Sequence, residues 1–264
     1  MRILFMGDIV GSPARDFLAR FLPRLRLEEN LDCVIANGEN SAGGSSITQE
    51  IAGELFRSGI DIITTGDHAF KKKEGKETVE KTEVLRPLNY GDAAAGRGYL
   101  IKDIKGTKVA VINLLGRVFM QPIDCPFKAV RAVLEDIKRQ SRIVIVDMHA
   151  EATSEKLAMA YFLAGKVSAV LGTHTHIPTA DERILDGSTA YITDAGMTGS
   201  FDSILGREKH PIIERFITNM PVRFNLAQGD VRIQGAVIEV DAQTGAASTI
   251  KRVEYRQDVI FKKS

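Results

Sequence analysis

The chain has 264 residues, with 35 Lys+Arg against 34 Asp+Glu, two Cys and no Trp. A formal net charge of +1 excludes an acidic tail and a nucleic-acid binder held by bulk charge alone, though not a local cationic site. Two distant cysteines, Cys33 and Cys125, exclude a disulfide framework, and no run reaches the roughly 18 apolar residues of a membrane helix.

With 44% hydrophobic residues the chain has ample core material, and a single domain over residues 1–264 is expected. The N-terminal apolar run is too short for a signal segment and ends in a Gly-Asp turn, so the expected location is the cytoplasm. Arg2–Met6 reads as a buried strand. Ser12-Pro13 reads as a helix start with Ser12 at the N-cap. That helix should run to about Leu27, because Phe17, Leu18, Phe21, Leu22 and Leu25 share a face. Asp32–Ala36 is a second strand, Thr48–Arg57 a second helix and Ile60–Thr64 a third strand. This β-α-β-α-β order predicts a parallel sheet.

The charged stretch Lys71–Lys81 reads as a solvated loop or a helix start. Tyr99–Ile104 and Lys108–Leu114 read as a hairpin, Phe127–Arg139 as a helix and Ile143–Val146 as a buried strand. A helix is expected from about Ser154, with strands at Ala169–Leu171 and Ala190–Thr193. Val231–Val240 and Ser248–Glu254 should close the fold as an antiparallel hairpin. So many strands exceed one layer, which predicts an α/β fold of two packed mixed sheets flanked by helices.

A polar cluster follows each central strand. These are Gly7-Asp8, Asn37-Gly38-Glu39-Asn40, Gly66-Asp67-His68, Asp147-Met148-His149-Ala150-Glu151, Gly172-Thr173-His174-Thr175-His176 and Asp194–Gly199. Open α/β sheets place their sites at these carboxyl ends. Four of the five histidines lie in the clusters. Histidine with Asp, Glu and Asn makes a mixed nitrogen and oxygen donor set suited to Fe, Mn or Zn. His174 and His176 would share a face in a strand, but in a turn they could reach two adjacent ions. Two ions about 3.5–4 Å apart clamp a phosphoryl group and activate water.

Each cluster alone has a bland reading: a Gly-Asp turn, an Asn-Gly turn, a satisfied core histidine. Their order along one sheet edge favours a metal site. Other features carry less. Gly43-Gly44-Ser45-Ser46 lacks the lysine of a phosphate-binding loop. Lys71–Lys73 reads as a solvated face, Cys33 as core, Ser154 as a helix N-cap, and Cys125 and His210 as outside the site.

The ordered clusters resemble those of calcineurin-like metallophosphoesterases. More narrowly, Gly7–Gly11, Ile47-Thr48 and Asp194–Gly199 resemble the bacterial subfamily that hydrolyses cyclic nucleotides at a di-iron centre. The resemblance spans nearly the whole chain. It implies that Asp8 and His176 hold a first metal with Asn40 assisting, that Glu39 bridges, and that Asp67, His149 and His174 hold the second. His68 would be the general acid. The superfamily's usual histidine two residues after the first aspartate is absent, since Val10 stands there, and the narrower subfamily shares that absence. The implied cofactors are two divalent ions, iron foremost, with Mn or Zn as alternatives. The implied reaction is opening of a 2′,3′-cyclic nucleotide at the 2′ bond by hydroxide held between the metals, with 3′,5′-cyclic AMP a further substrate. The implied partners are a small cyclic nucleotide and further copies of the chain, with no membrane and no strong nucleic-acid signal.

Asp67 departs from the pattern, where the subfamily carries Asn, and Ala69-Phe70 also differ. An ionised Asp67 lowers the net charge of the loaded centre from roughly +1 to about zero, which should tighten metal binding and weaken attraction for an anionic phosphate. Two other functions fit the same residues: a phosphomonoesterase, nucleotidase or nuclease on the same core, and a regulatory protein that binds metal and nucleotide without turnover.

Overall fold

A computed structural model describes residues 1–256. Its first sheet contains β1 (Arg2–Met6), β2 (Asp8–Ile9), β3 (Cys33–Asn37), β4 (Ile62–Thr64), β11 (Met197–Ser200), β12 (Val231–Val240) and β13 (Ala247–Arg256). Its second contains β5 (Tyr99–Ile104), β6 (Thr107–Leu115), β7 (Ile143–His149), β8 (Ala169–Thr173), β9 (Arg183–Leu185) and β10 (Thr189–Ile192). The helices are α1 (Gly11–Glu28), α2 (Gln49–Arg57), α3 (Lys73–Lys81), α4 (Pro126–Gln140), α5 (Thr153–Leu163) and α6 (Lys209–Thr218).

The first sheet runs β2-β11-β12-β1-β3-β4, with β13 on β12, and the second runs β5-β6-β7-β8-β10-β9. Strands β1, β3 and β4 are parallel, as are β6, β7, β8 and β10. Their carboxyl ends therefore gather at one edge of each sheet.

Period-two alternation explains the layering. In β1, Ile3 and Phe5 enter the core between the sheets, where they join Ile35, Val111, Ile145 and Leu171. Leu4 and Met6 point the other way, onto Phe17, Leu18 and Leu22 of α1. Val144 and Val146 of β7 likewise pack outward with Leu134 of α4 and Met159 of α5. The result is the expected sandwich, helix–sheet–sheet–helix.

Several boundaries differ from expectation. Val10, not Ser12, occupies the N-cap of α1. The chain turns there through a backbone bond from Gly11 N–H to Asn40 O (3.0 Å), so no serine cap is needed. Ser154 is likewise not a cap, because α5 starts at Thr153 with Ala152 before it. The charged 71–81 stretch resolves into α3, which buries only Gly75, Thr78 and Val79. Strands β7 and β8 extend beyond their apolar runs to His149 and Thr173, so part of the polar clusters lies inside the sheet.

Candidate metal centre

All eight candidate side chains lie where the carboxyl ends of the two sheets meet. Asp8 on β2, Glu39 and Asn40 after β3, and Asp67 and His68 after β4 come from the first sheet. His149 ends β7, and His174 and His176 follow β8 in the second.

One group of donors comprises Glu39, Asp67, His149 and His174, with one ligand atom from each lying within 4.8 Å of all the others. His149 Nε2 sits 3.0 Å from Glu39 Oε1, 3.3 Å from Asp67 Oδ1 and 3.0 Å from His174 Nδ1. Beside it, Asn40 Nδ2 lies 3.3 Å from both Asp8 Oδ1 and His176 Nε2, which are themselves 3.7 Å apart. His68 stands over the junction, with Nδ1 2.8 Å from Asn40 Oδ1 and Nε2 3.5 Å from Asp67 Oδ2.

Backbone contacts hold the oxygen donors. Glu39 Oε2 accepts the His68 backbone N–H (2.9 Å), which leaves Oε1 facing the imidazoles. Asp8 Oδ2 accepts the His174 N–H (3.0 Å), which leaves Oδ1 toward Asn40 and His176. The imidazoles are oriented by bonds on their other nitrogen. His149 Nδ1 meets Thr173 Oγ1 (2.8 Å), and that hydroxyl donates to buried Asp147 (2.6 Å), which directs Nε2 toward Glu39, Asp67 and His174. His174 Nε2 faces Glu151 Oε2 (3.1 Å), which leaves Nδ1 inward. Gly66 makes room for His149, because a Cβ there would lie 2.1 Å from the ring.

His174 and His176 have positive φ, 103° and 64°, a conformation that costs non-glycine residues on the order of 1–3 kcal/mol. Asp194 holds this turn: Oδ2 accepts the Thr175 N–H between the two histidines (3.0 Å), and Oδ1 accepts Gly196 N–H (2.9 Å). Lys156 of α5 pairs with Asp194 at 2.7 Å, and both side chains are almost wholly buried.

Electrostatics tests whether cations fit. Asp8, Glu39 and Asp67 gather here, and among the described residues none pairs with Lys or Arg. Burial, reinforced by Glu39 and Asp194 against the pull of His149, pushes Asp8 up to about 7. Burial also opposes ionisation of Glu39 and Asp67, but His149 holds both below the usual carboxylate range. Burial works against the His149 imidazolium too, yet Glu39 and Asp67 raise its pKa well above normal. Burial brings His174 and His176 down to about 4, so both are neutral donors at pH 7. Carboxylates with no Lys or Arg partner, gathered with imidazoles at one edge, are a donor set that suits a metal cation.

The centre opens into a cleft of about 620 Å³, whose opposite wall includes Leu205, Phe216 and Phe224. Arg207 reaches across to donate to Gly43 O (3.1 Å) and Gly44 O (2.7 Å), tying that wall to the loop that carries Glu39 and Asn40. Sequence reasoning assigned no role to Asp147, Glu151, Lys156, Thr173 or Asp194. All but Lys156 lie in the strand-end clusters, which was the available signal. Nothing in the sequence pattern marks Leu205, Arg207, Phe216 or Phe224.

Known proteins resemble this chain over nearly its whole length. The family described as YmdB-like protein matches residues 4–253. A 2′,3′-cyclic-nucleotide 2′-phosphodiesterase of Bacillus subtilis (strain 168) is 44% identical over 262 residues, covering 99% of each chain. A crystal structure of a hypothetical protein from Thermus thermophilus superposes with TM-score 0.91 at 39% identity, covering 97% of this chain and 99% of that one. A novel phosphatase from Mycoplasma pneumoniae superposes with TM-score 0.89 at 31% identity, covering 100% and 97%.

Proposed function

This chain belongs to the YmdB-like family, and from that premise we propose that it is a metal-dependent phosphodiesterase acting on cyclic nucleotides. The observation that carries the proposal is the pairing of two donor sets across buried Glu39, with His68 above them in an open cleft. In this reading Asp8, Asn40 and His176 would hold one ion, Asp67, His149 and His174 would hold the other, and Glu39 would serve both. The native metal is iron, with Mn or Zn also suited to these donors. When bound, two divalent ions would neutralise charge on the phosphate and make a water acidic enough to attack at neutral pH.

The chain's own residues supply the rest. The Asn40 amide lies 2.8 Å from His68 Nδ1 and orients the imidazole. His68 lines the cleft and would donate a proton to the departing ribose oxygen as the ester opens. The 44% identity to a 2′,3′-cyclic-nucleotide 2′-phosphodiesterase favours a 2′,3′-cyclic nucleotide opened at the 2′ bond, with 3′,5′-cyclic AMP as a further substrate. The product is a 3′-phosphomonoester. The proposal takes the working form to be an assembly of identical chains in the cytoplasm, on the strength of the family resemblance.

The test is metal analysis combined with a hydrolysis screen on 2′,3′-cyclic AMP, 3′,5′-cyclic AMP and a phosphomonoester, with Fe²⁺ or Mn²⁺ supplied. Two ions per chain and many turnovers on a cyclic diester are expected. Turnover on the monoester alone would replace this reading with a phosphatase, in keeping with the 31% identical Mycoplasma pneumoniae structure. Two bound ions without turnover would replace it with a binding protein.

A further inference from the structure

The cleft has two unlike ends. At one end stand Glu39, Asn40, His68, His174 and His176, while the other is walled by Ile204, Leu205, Ile212, Phe216 and Phe224. Val10, almost fully buried, lies between them and continues the apolar surface to the edge of the metal centre. The volume of about 620 Å³ exceeds what a bare phosphate needs and lies within the roughly 300–1,000 Å³ of small-molecule sites.

The wall is built on purpose-shaped backbone. Ile204 and Arg207 pair across a tight turn in which Leu205 and Gly206 have φ 52° and 86°, and this places Leu205 in the cleft. Arg207 pins the turn to the loop beyond Asn40. Helix α6 overhangs the opening. Its Ile212 is seated, but Phe216 is 83% exposed and Phe224, beyond the helix, is 37% exposed. Two uncovered aromatic rings beside a phosphoester-binding centre lose apolar hydration when a flat ring lies on them.

We propose that Leu205, Phe216 and Phe224 form the subsite for the heterocyclic base of the substrate. This rests on the cyclic-nucleotide reading and specifies its specificity. The ring is held by its faces, through apolar contact and stacking. The polar side chains at that end are Arg207, Arg215 and Asn219, and both arginines donate to backbone carbonyls, Arg207 to Gly43 O (3.1 Å) and Gly44 O (2.7 Å) and Arg215 to Met220 O (3.3 Å). Stacking tolerates any base, so purines should be preferred over pyrimidines by area while adenine and guanine are treated alike.

The test uses the metal-loaded full chain on 2′,3′-cyclic AMP, 2′,3′-cyclic UMP and glycerol 1,2-cyclic phosphate, a cyclic diester with no base. The quantity read is the ratio of kcat/KM on cyclic AMP to that on the glycerol ester. F216A and F224A should each lower it about tenfold, mainly through KM, and F216W should restore it. Calorimetric binding of adenosine 3′-phosphate against glycerol phosphate reads the same wall without turnover. An inactive wild type that still prefers the nucleoside phosphate, with F216A abolishing the preference, would sink the hydrolase reading but not the subsite. An unchanged ratio together with unchanged binding in F216A and F224A would overturn the subsite. So would a change in sedimentation of F216A at an unchanged ratio, which would assign the wall to contact between copies of the chain.

Discussion

The first sheet gives the centre its oxygen atoms, and the second gives it nitrogen. Asp8, Glu39, Asn40 and Asp67 come from the strands and loops of β1–β4, whereas His149, His174 and His176 come from the ends of β7 and β8. The oxygen half is fixed economically. In Asp8 and Glu39 one carboxylate oxygen binds a backbone N–H and the other faces the centre, and among the described residues no Lys or Arg pairs with either. The nitrogen half must aim its rings, with His174 and His176 neutral at pH 7 and His149 drawn toward its protonated form by Glu39 and Asp67. It does so with outer partners Thr173, Asp147 and Glu151, and with a strained turn clamped by Asp194. A cation would therefore suit the first half, and scaffolding preserves the second.

The largest effects should come from removing one donor from either half. Glu39→Gln and His149→Ala are each expected to lower kcat/KM by on the order of 10³-fold or more, because each loses part of a two-ion charge stabilisation worth several kcal/mol. Metal content, read by elemental analysis, should fall below two ions per chain in both. Retention of two ions by His149→Ala would remove that residue from the donor set. His68→Ala should differ from these, keeping both ions while kcat falls roughly 10²–10⁴-fold.

The scaffold of the nitrogen half predicts a stability effect. Lys156→Met leaves Asp194 charged and buried, a kind of loss that costs about 3–5 kcal/mol. Chemical denaturation should show that loss, and equilibrium dialysis should show weakened metal binding, since Asp194 holds the turn between His174 and His176. Lys156→Met with undiminished stability would mean that Asp194 is satisfied by its backbone partners alone.

The halves should also titrate in opposite senses in metal-free protein. Asp8 goes from 3.8 unfolded to about 7 folded, so its contribution is present below pH 3.8 and lost as pH rises to 7. His176 goes from 6.5 to about 4, so its contribution is present above pH 6.5 and lost as pH falls to 4. Under chelation, Asp8→Asn should gain stability relative to wild type as pH rises across that window, and His176→Gln should gain as pH falls. Parallel profiles for the two variants would contradict the assigned protonation states.

This division also explains what could be read from sequence. That the candidate donors gather in one place was legible because each lies within a few residues of a short apolar run, and parallel strands place such positions at one edge. The layered fold was legible because the expected strands are too many for one sheet, whereas the sides taken by Ile3 and Phe5 against Leu4 and Met6 were not, since all four are apolar. Helix α3 was ambiguous because nearly all of its surface is charged and solvated. Helix α6 and the Leu205 turn left no pattern, since Phe216, Ile217 and Met220 are exposed rather than packed into a core. Lys156 was invisible for the converse reason: a lysine in a helix reads as surface, and only its buried partner Asp194, distant in sequence, takes it inside.

The smallest effect tests the position where the two halves touch. Asp67 comes from the oxygen half, yet its Oδ1 lies 3.3 Å from His149 and 3.5 Å from His174, both of the nitrogen half. Its carboxyl is held low despite burial by the His149 hydrogen bond and the surrounding imidazoles, so it is ionised throughout the neutral and mildly acidic range. An ionised ligand there adds one negative charge to the centre beyond what asparagine would bring. Asp67→Asn keeps the shape and removes that charge, so metal affinity should fall while attraction for a phosphate anion rises. One charge about 4 Å away is worth ~1 kcal/mol in bulk water and ~4 kcal/mol near a protein surface, so each change should be about tenfold or somewhat more. Saturating metal separates them: under that condition KM for the cyclic diester should drop, and in limiting metal the variant should be the slower enzyme. If KM and metal affinity both stay at wild-type values, the charge of Asp67 plays no part in the centre and only its position does.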